Sequence, residues 1–125
     1  MRWTTPVIQF ARTATRDYAL RGTTIRTGQS VCLFYPSANR DEEIFDDPFR
    51  FRIDREPNRH IAFGMGEHVC LGAHLARLEL RSAFAMLRER LLACEPMGEP
   101  ARVRSSFVGG IKRAPMRWRI APAPA

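Results

Sequence analysis

The richest chemistry in the chain lies in Phe63-Gly64-Met65-Gly66-Glu67-His68-Val69-Cys70-Leu71-Gly72. Two glycines precede a cysteine and one follows it. Glycine permits positive φ and lets the backbone approach something flat or bulky. A cysteine just ahead of a helix sits at the positive end of the helix dipole, which favours the thiolate. Backbone N–H groups of such a loop can point at the sulfur and tune it. Together these describe a nest for a ligating thiolate. Three other readings stay open. One is a glycine turn around a small buried cysteine. Another is zinc held by His68, Cys70 and His74, with His60 as a fourth ligand, although neither Cys32 nor Cys94 has a matching spacing. The last is a cysteine nucleophile paired with His68, which lacks an accompanying Gln or Asn oxyanion pattern.

The elements around this loop follow from periodicity and punctuation. Leu80, Phe84, Leu87 and Leu91 repeat at helical spacing and predict one long helix over 71–93, stopped by Pro96. Ala73, Ala76 and Ala83 suit close packing, while Arg77, Arg81 and Arg88 fall on another face. Upstream, 7–12 reads as a short strand. Tyr18-Ala19-Leu20 and Thr23-Thr24-Ile25 read as a hairpin turning at Arg21-Gly22. A turn at Thr27-Gly28 leads into a strand over 30–35 that Pro36 ends. Residues 37–43 predict a short helix capped by Ser37 or Asn39. Residues 46–62 lack a period and predict an irregular loop, pinned to a core by Phe45, Phe49, Phe51 and Ile53. Residues 101–120 read as weak strands around the turn Val108-Gly109-Gly110, and the tail 121–125 as frayed. The class is α+β. One helix that is apolar over much of its circumference, with few strands to cover it, indicates part of a larger domain.

Composition narrows the function. The 125 residues carry a net charge of +7, with 45% apolar and 26% charged residues, which excludes a disordered charged tail. Of the 20 basic residues, Lys112 alone is lysine. Arginine suits bidentate contacts to carboxylates and phosphates. The arginines are scattered, without a charge block or a helix-turn-helix or finger spacing, so nucleic acid is not the expected partner. Three widely spaced cysteines argue against a disulfide framework, and each reads as a small buried apolar residue. No apolar run is long enough for a membrane span. Nor does the N-terminus read as a secretory signal, so a cytoplasmic location is expected.

Phe63, Gly66, His68, Cys70 and Gly72 meet every required position of Phe-x-x-Gly-x-His/Arg-x-Cys-x-Gly. This segment resembles the haem-binding signature of cytochrome P450. The likeness extends through Ala73-His74-Leu75-Ala76-Arg77-Leu78-Glu79, Ser37-Ala38-Asn39-Arg40-Asp41 and His60-Ile61-Ala62-Phe63-Gly64, and covers about Trp3 to Trp118. It resembles the soluble bacterial type.

The resemblance implies haem b with Cys70 as proximal iron ligand, a thiolate that favours O–O cleavage. By the same resemblance Phe63 shields the sulfur, and Gly64, Gly66, Leu71 and Gly72 shape the loop under the porphyrin. Arg12 and His68 resemble the propionate partners. Arg55 resembles the arginine that completes the family's Glu-Arg-Arg triad. Val7, Ile8, Phe107 and Val108 resemble substrate-pocket residues and suit an apolar substrate. An electron donor such as a ferredoxin is the implied partner, docking near Arg77, Arg81 and Arg88.

No Glu-x-x-Arg precedes Thr5, and the oxygen-binding helix is absent, so Arg55 is expected to stand without its Glu-Arg pair. The expectation is therefore that residues 1–125 are the C-terminal, haem-ligand part of a single P450 domain. The whole enzyme would hydroxylate an apolar small molecule with O2 and two electrons. The alternative is a non-enzymatic truncated relic or haem-binding module.

Overall fold

Arg21 and Gly22 both take positive φ, +47° and +78°, the conformation of a type I′ two-residue turn. That turn joins β2 (Tyr18–Leu20) to β3 (Thr23–Ile25), the predicted hairpin. The structure is a computed structural model that describes residues 1–122. Residues 123–125, part of the tail expected to fray, lie outside the described residues. The chain divides into two units, Met1–Ala62 with Arg104–Gly109, and Phe63–Val103 with Gly110–Ala125.

In the first unit, β1 (Gln9–Thr13) pairs antiparallel with β4 (Ser30–Phe34), with Arg12 opposite Val31. Pro36 does not merely end β4. It lies in the first turn of α1 (Tyr35–Ala38), where its missing N–H is no loss. The short helix therefore starts earlier than the 37–43 expected, and Asn39 caps its C-terminus rather than its N-terminus.

Asn39 is fully buried and acts as a hub. Its side-chain amide donates to Thr5 Oγ1 at 3.0 Å and accepts from the Ile61 N–H at 2.8 Å. The Thr5 hydroxyl donates to the Arg2 carbonyl at 2.6 Å, and Arg2 donates to the Asn39 carbonyl at 2.6 Å. Residues 46–62 form no helix or strand, as expected. Only Phe45 of the four expected anchors is buried; Phe49 and Phe51 are exposed and Ile53 is 92% exposed. The loop is instead tied by polar bonds from Arg55 and Asn39 and by an edge-on contact of Phe51 with Trp3 at 5.5 Å.

In the second unit, α2 spans Ala73–Arg90, ending earlier than the 71–93 expected. Leu91 leaves the helix and opens β5 (Leu91–Pro96), which pairs antiparallel with β8 (Met116–Ile120) through a bulge at Leu92. Pro96 thus ends a strand. An apolar run such as Leu91-Leu92-Ala93-Cys94 fits helix or strand, and the ladder to β8 decides. β6 (Ala101–Arg102) and β7 (Ile111–Arg113) form a further small pair. The apolar stripe of α2 is largely bare: Leu75, Leu78, Leu80, Phe84 and Met86 are exposed, and Ala73 is the buried residue of the helix.

All three cysteines are exposed and free, which corrects the expectation of buried ones. Cys32 donates to the Gln9 side-chain oxygen, and Cys94 sits opposite Trp118 on the β5–β8 ladder.

Candidate functional site: a cysteine loop ahead of a helix

The loop is closed by its own backbone. The Cys70 N–H donates to the Phe63 carbonyl at 2.8 Å, and the Val69 N–H donates to the Gly66 carbonyl at 3.1 Å. Gly66–His68 makes one 3₁₀ turn inside the closure. Gly64 and Gly66 take φ of +75° and +74°, a region where a Cβ is disfavoured, so both glycines are required by the path of the chain. A Cβ at Gly66 would meet no protein atom within 4 Å, so conformation, not crowding by this chain, calls for glycine there.

The second half of the loop feeds α2. Gly72 is the N-cap residue, and the Ala73 N–H donates to the Cys70 carbonyl at 3.1 Å. Gly72 has an ordinary φ of −80°, but a Cβ there would lie 4.0 Å from Cys70 Sγ. Its small size keeps the approach to the sulfur open.

Cys70 and His68 are exposed. Around them Met65 and Val69 are also exposed, and Leu71 is 99% exposed. Phe63 is half-buried, with the Arg77 guanidinium over its ring at 4.5 Å. An exposed thiol on a glycine-shaped loop with an apolar fringe fits a flat, apolar group whose metal takes a single protein ligand. It does not fit a closed zinc centre. Among the described residues no three His, Cys, Asp or Glu side chains come together to hold a metal ion, so the His68, Cys70, His74 spacing does not close.

The four candidate pocket residues meet in the first unit. Val7 and Val108 form an antiparallel bridge, and the Ile8 N–H donates to the Phe107 carbonyl at 2.8 Å. The Gly109 N–H donates to the Pro6 carbonyl at 2.7 Å, and Ile8 Cδ1 would lie 3.5 Å from a Cβ at Gly109. The Phe107 ring meets Phe10 edge-on at 5.2 Å. Phe107 and Val108 are exposed and Val7 and Ile8 half-buried, so the bridge presents an apolar patch. Arg12 is half-buried on β1, over Phe10, and donates to the Ala11 carbonyl at 2.9 Å. It lines a groove of about 300 Å³ with Arg16, Tyr18, Ile25 and Val31.

Arg55 is buried, and its guanidinium donates to the carbonyls of Asp46, Asp47 and Arg50. Its Nε is buried and has no partner among the described residues. Arg2 is buried as well, which the sequence reading did not anticipate. Burial, and then the like charges of Arg55 and Arg40, hold the Arg2 guanidinium below its ordinary range. Among the described residues neither Arg2 nor Arg55 has an ion pair. Arg55 was expected to stand without its Glu-Arg pair, and the like charge it exerts on Arg2 places one arginine within electrostatic reach of it. The signal for Arg2 was the burial of its surroundings, which no local pattern carries.

A family model described as Cytochrome P450 matches residues 1–105. The chain is 50% identical over 118 residues to Cytochrome P450-terp of a Pseudomonas species, covering 94% of this chain and 28% of that protein. It is 49% identical over 121 residues to the steroid C26-monooxygenase of Mycobacterium tuberculosis, covering 96% of this chain and 27% of that protein. The crystal structure of CYP108D1 from Novosphingobium aromaticivorans superposes with a TM-score of 0.88 at 51% identity, covering 96% of this chain and 29% of that one. The chain therefore spans less than a third of the length of these relatives. The family's cofactor is a haem held by a cysteine thiolate. With a family match over most of its length and close identity to curated members, the chain belongs to the cytochrome P450 family.

Proposed function

We propose that residues 1–125 form the C-terminal, haem-ligating part of a single P450 domain, and that the complete domain is a monooxygenase. The observation that carries this reading is Cys70 itself: exposed, closed back onto Phe63 through its amide, and set directly ahead of α2. Cys70 holds the iron of haem b. Gly64, Gly66 and Gly72 would leave room around the sulfur for the haem, Phe63 and Leu71 would give it apolar contact, and His68 would pair a propionate. The chemistry the haem supplies when bound is reductive activation of O2 for insertion of one oxygen atom into a C–H bond.

The chain's own residues orient the substrate and stabilise the frame. Val7, Ile8, Phe107 and Val108 offer an apolar wall, which suits an apolar small molecule. A relative named for steroid oxidation supports that class. Arg2 and Arg55 are the two arginines of the family's Glu-Arg-Arg triad. What supports this is two buried guanidiniums close enough for the charge of one to act on the other, one with an Nε that has no partner among the described residues, an arrangement that calls for a carboxylate. Two electrons come from an external donor such as a ferredoxin.

The test is oxidation of a panel of steroids, terpenoids and fatty acids by the complete protein with ferredoxin and its reductase. Oxygen-dependent hydroxylation that is lost in Cys70→Ala is expected. Haem bound through Cys70 without any oxygen-dependent product would favour the non-enzymatic haem-binding module instead.

A further inference from the structure

Arg77 lies one turn into α2, and its guanidinium stacks 4.5 Å from the centre of the Phe63 ring. One of its nitrogens also donates to the Ala73 carbonyl at 3.4 Å. The side chain is half-buried and, among the described residues, has no ion pair. A cation near the positive end of a helix gains nothing from the dipole, so helix stability gives no reason for an arginine here. Arg81, one turn further along, is exposed. The charge of Arg77 is directed at the ring face, a cation–π contact that strengthens as water is excluded.

Two of the contacts of Phe63 bear on the loop. Its carbonyl accepts the Cys70 N–H at 2.8 Å, and its ring lies under Arg77. Both contacts converge on the loop that ends at the sulfur. We propose that Arg77 is a positioning residue that acts through the Phe63 ring to set the electrostatic environment of the Cys70 sulfur. This rests on the assignment of Cys70 as haem ligand. The flat guanidinium matters as well as the charge, because a planar group stacks on a ring where an ammonium does not.

The test is a double-mutant cycle read as the haem midpoint potential of the complete, haem-loaded protein. Arg77→Met keeps the length and apolar stem of the side chain, and Arg77→Lys keeps the charge. Arg77→Met is expected to lower the potential, since a nearby cation favours the reduced, more negative state. In the Phe63→Leu background the same change should give less than half that shift, because the ring that transmits the effect is gone. Arg77→Lys should recover less than half of it. Equal shifts in both backgrounds, full recovery by lysine, or no shift at all would each overturn the inference. The carbon monoxide spectrum of the unmutated sample separates the two assignments. A thiolate signature with additive shifts overturns the role of Arg77 alone, whereas no thiolate signature overturns Cys70 and Arg77 together.

Discussion

Arg2 and Arg55 are both buried in the first unit, and burial first, then the charge of Arg55, lower the proton affinity of Arg2, with no carboxylate paired to either among the described residues. Like charges brought together out of water are costly unless an anion joins them. Three backbone carbonyls hold Arg55, and the carbonyls of Asn39 and Pro48 hold Arg2. These bonds orient the two groups but do not neutralise them.

Arg55→Ala should therefore destabilise the complete domain by about 2–4 kcal/mol, since it removes three charge-assisted bonds that tie the loop together. Arg55→Lys should recover little, because one ammonium cannot reach three diverging carbonyls while leaving Nε for a carboxylate. Chemical denaturation midpoints measure both variants. Full recovery by lysine would show that charge alone is needed at this position.

Asn39 joins the N-terminal turn, the end of α1 and the Ile61 amide. Asn39→Ala strands the Ile61 N–H and loses the donor to Thr5, a loss of about 2–4 kcal/mol. A change within half a kcal/mol of the parent would mean that water replaces the side chain, and that the hub is not a unit.

Gly66 and Gly72 should separate backbone strain from access to the sulfur. Gly66→Ala places a Cβ at φ +74° in open space, so it should cost about 1–2 kcal/mol of stability. Gly72→Ala places a Cβ in ordinary contact with Cys70 Sγ on an unstrained backbone. It should leave the unfolding midpoint of the haem-free protein unchanged while weakening haem retention. Equal effects of the two substitutions on both readouts would contradict this division.

Arg81 and Arg88 are exposed on the helix that follows the cysteine loop, whereas Arg77 is committed to Phe63. Charge reversal of Arg81 or Arg88 should slow reduction by an acidic ferredoxin about tenfold at low salt, with the difference fading as salt rises. Substrate-binding spectra should stay unchanged. Reduction at the parent rate across a salt titration would remove this face as the docking surface.

What could be read from the sequence depended on how local its cause was. The hairpin at Arg21-Gly22, the irregular stretch 46–62 and the cysteine loop ahead of α2 follow from glycines and periodicity within a few residues. The strand β5 was invisible because Leu91 continues the apolar repeat of α2, and only pairing with Met116–Ile120 makes it a strand. Phe49, Phe51 and Ile53 looked like core anchors by type, yet they are exposed, because the polar bonds of Arg55 and Asn39 hold that loop. Arg2 carried no motif at all. Its role appears only when the carbonyls of Asn39 and Pro48 converge on it.

The most direct test of the account is the reduced, carbon monoxide-bound spectrum of the complete protein and its three cysteine variants. The account predicts a thiolate-type Soret band in the parent, in Cys32→Ala and in Cys94→Ala, and its loss in Cys70→Ala. A Soret band of histidine-ligated type in the parent, unchanged in Cys70→Ala, would contradict it.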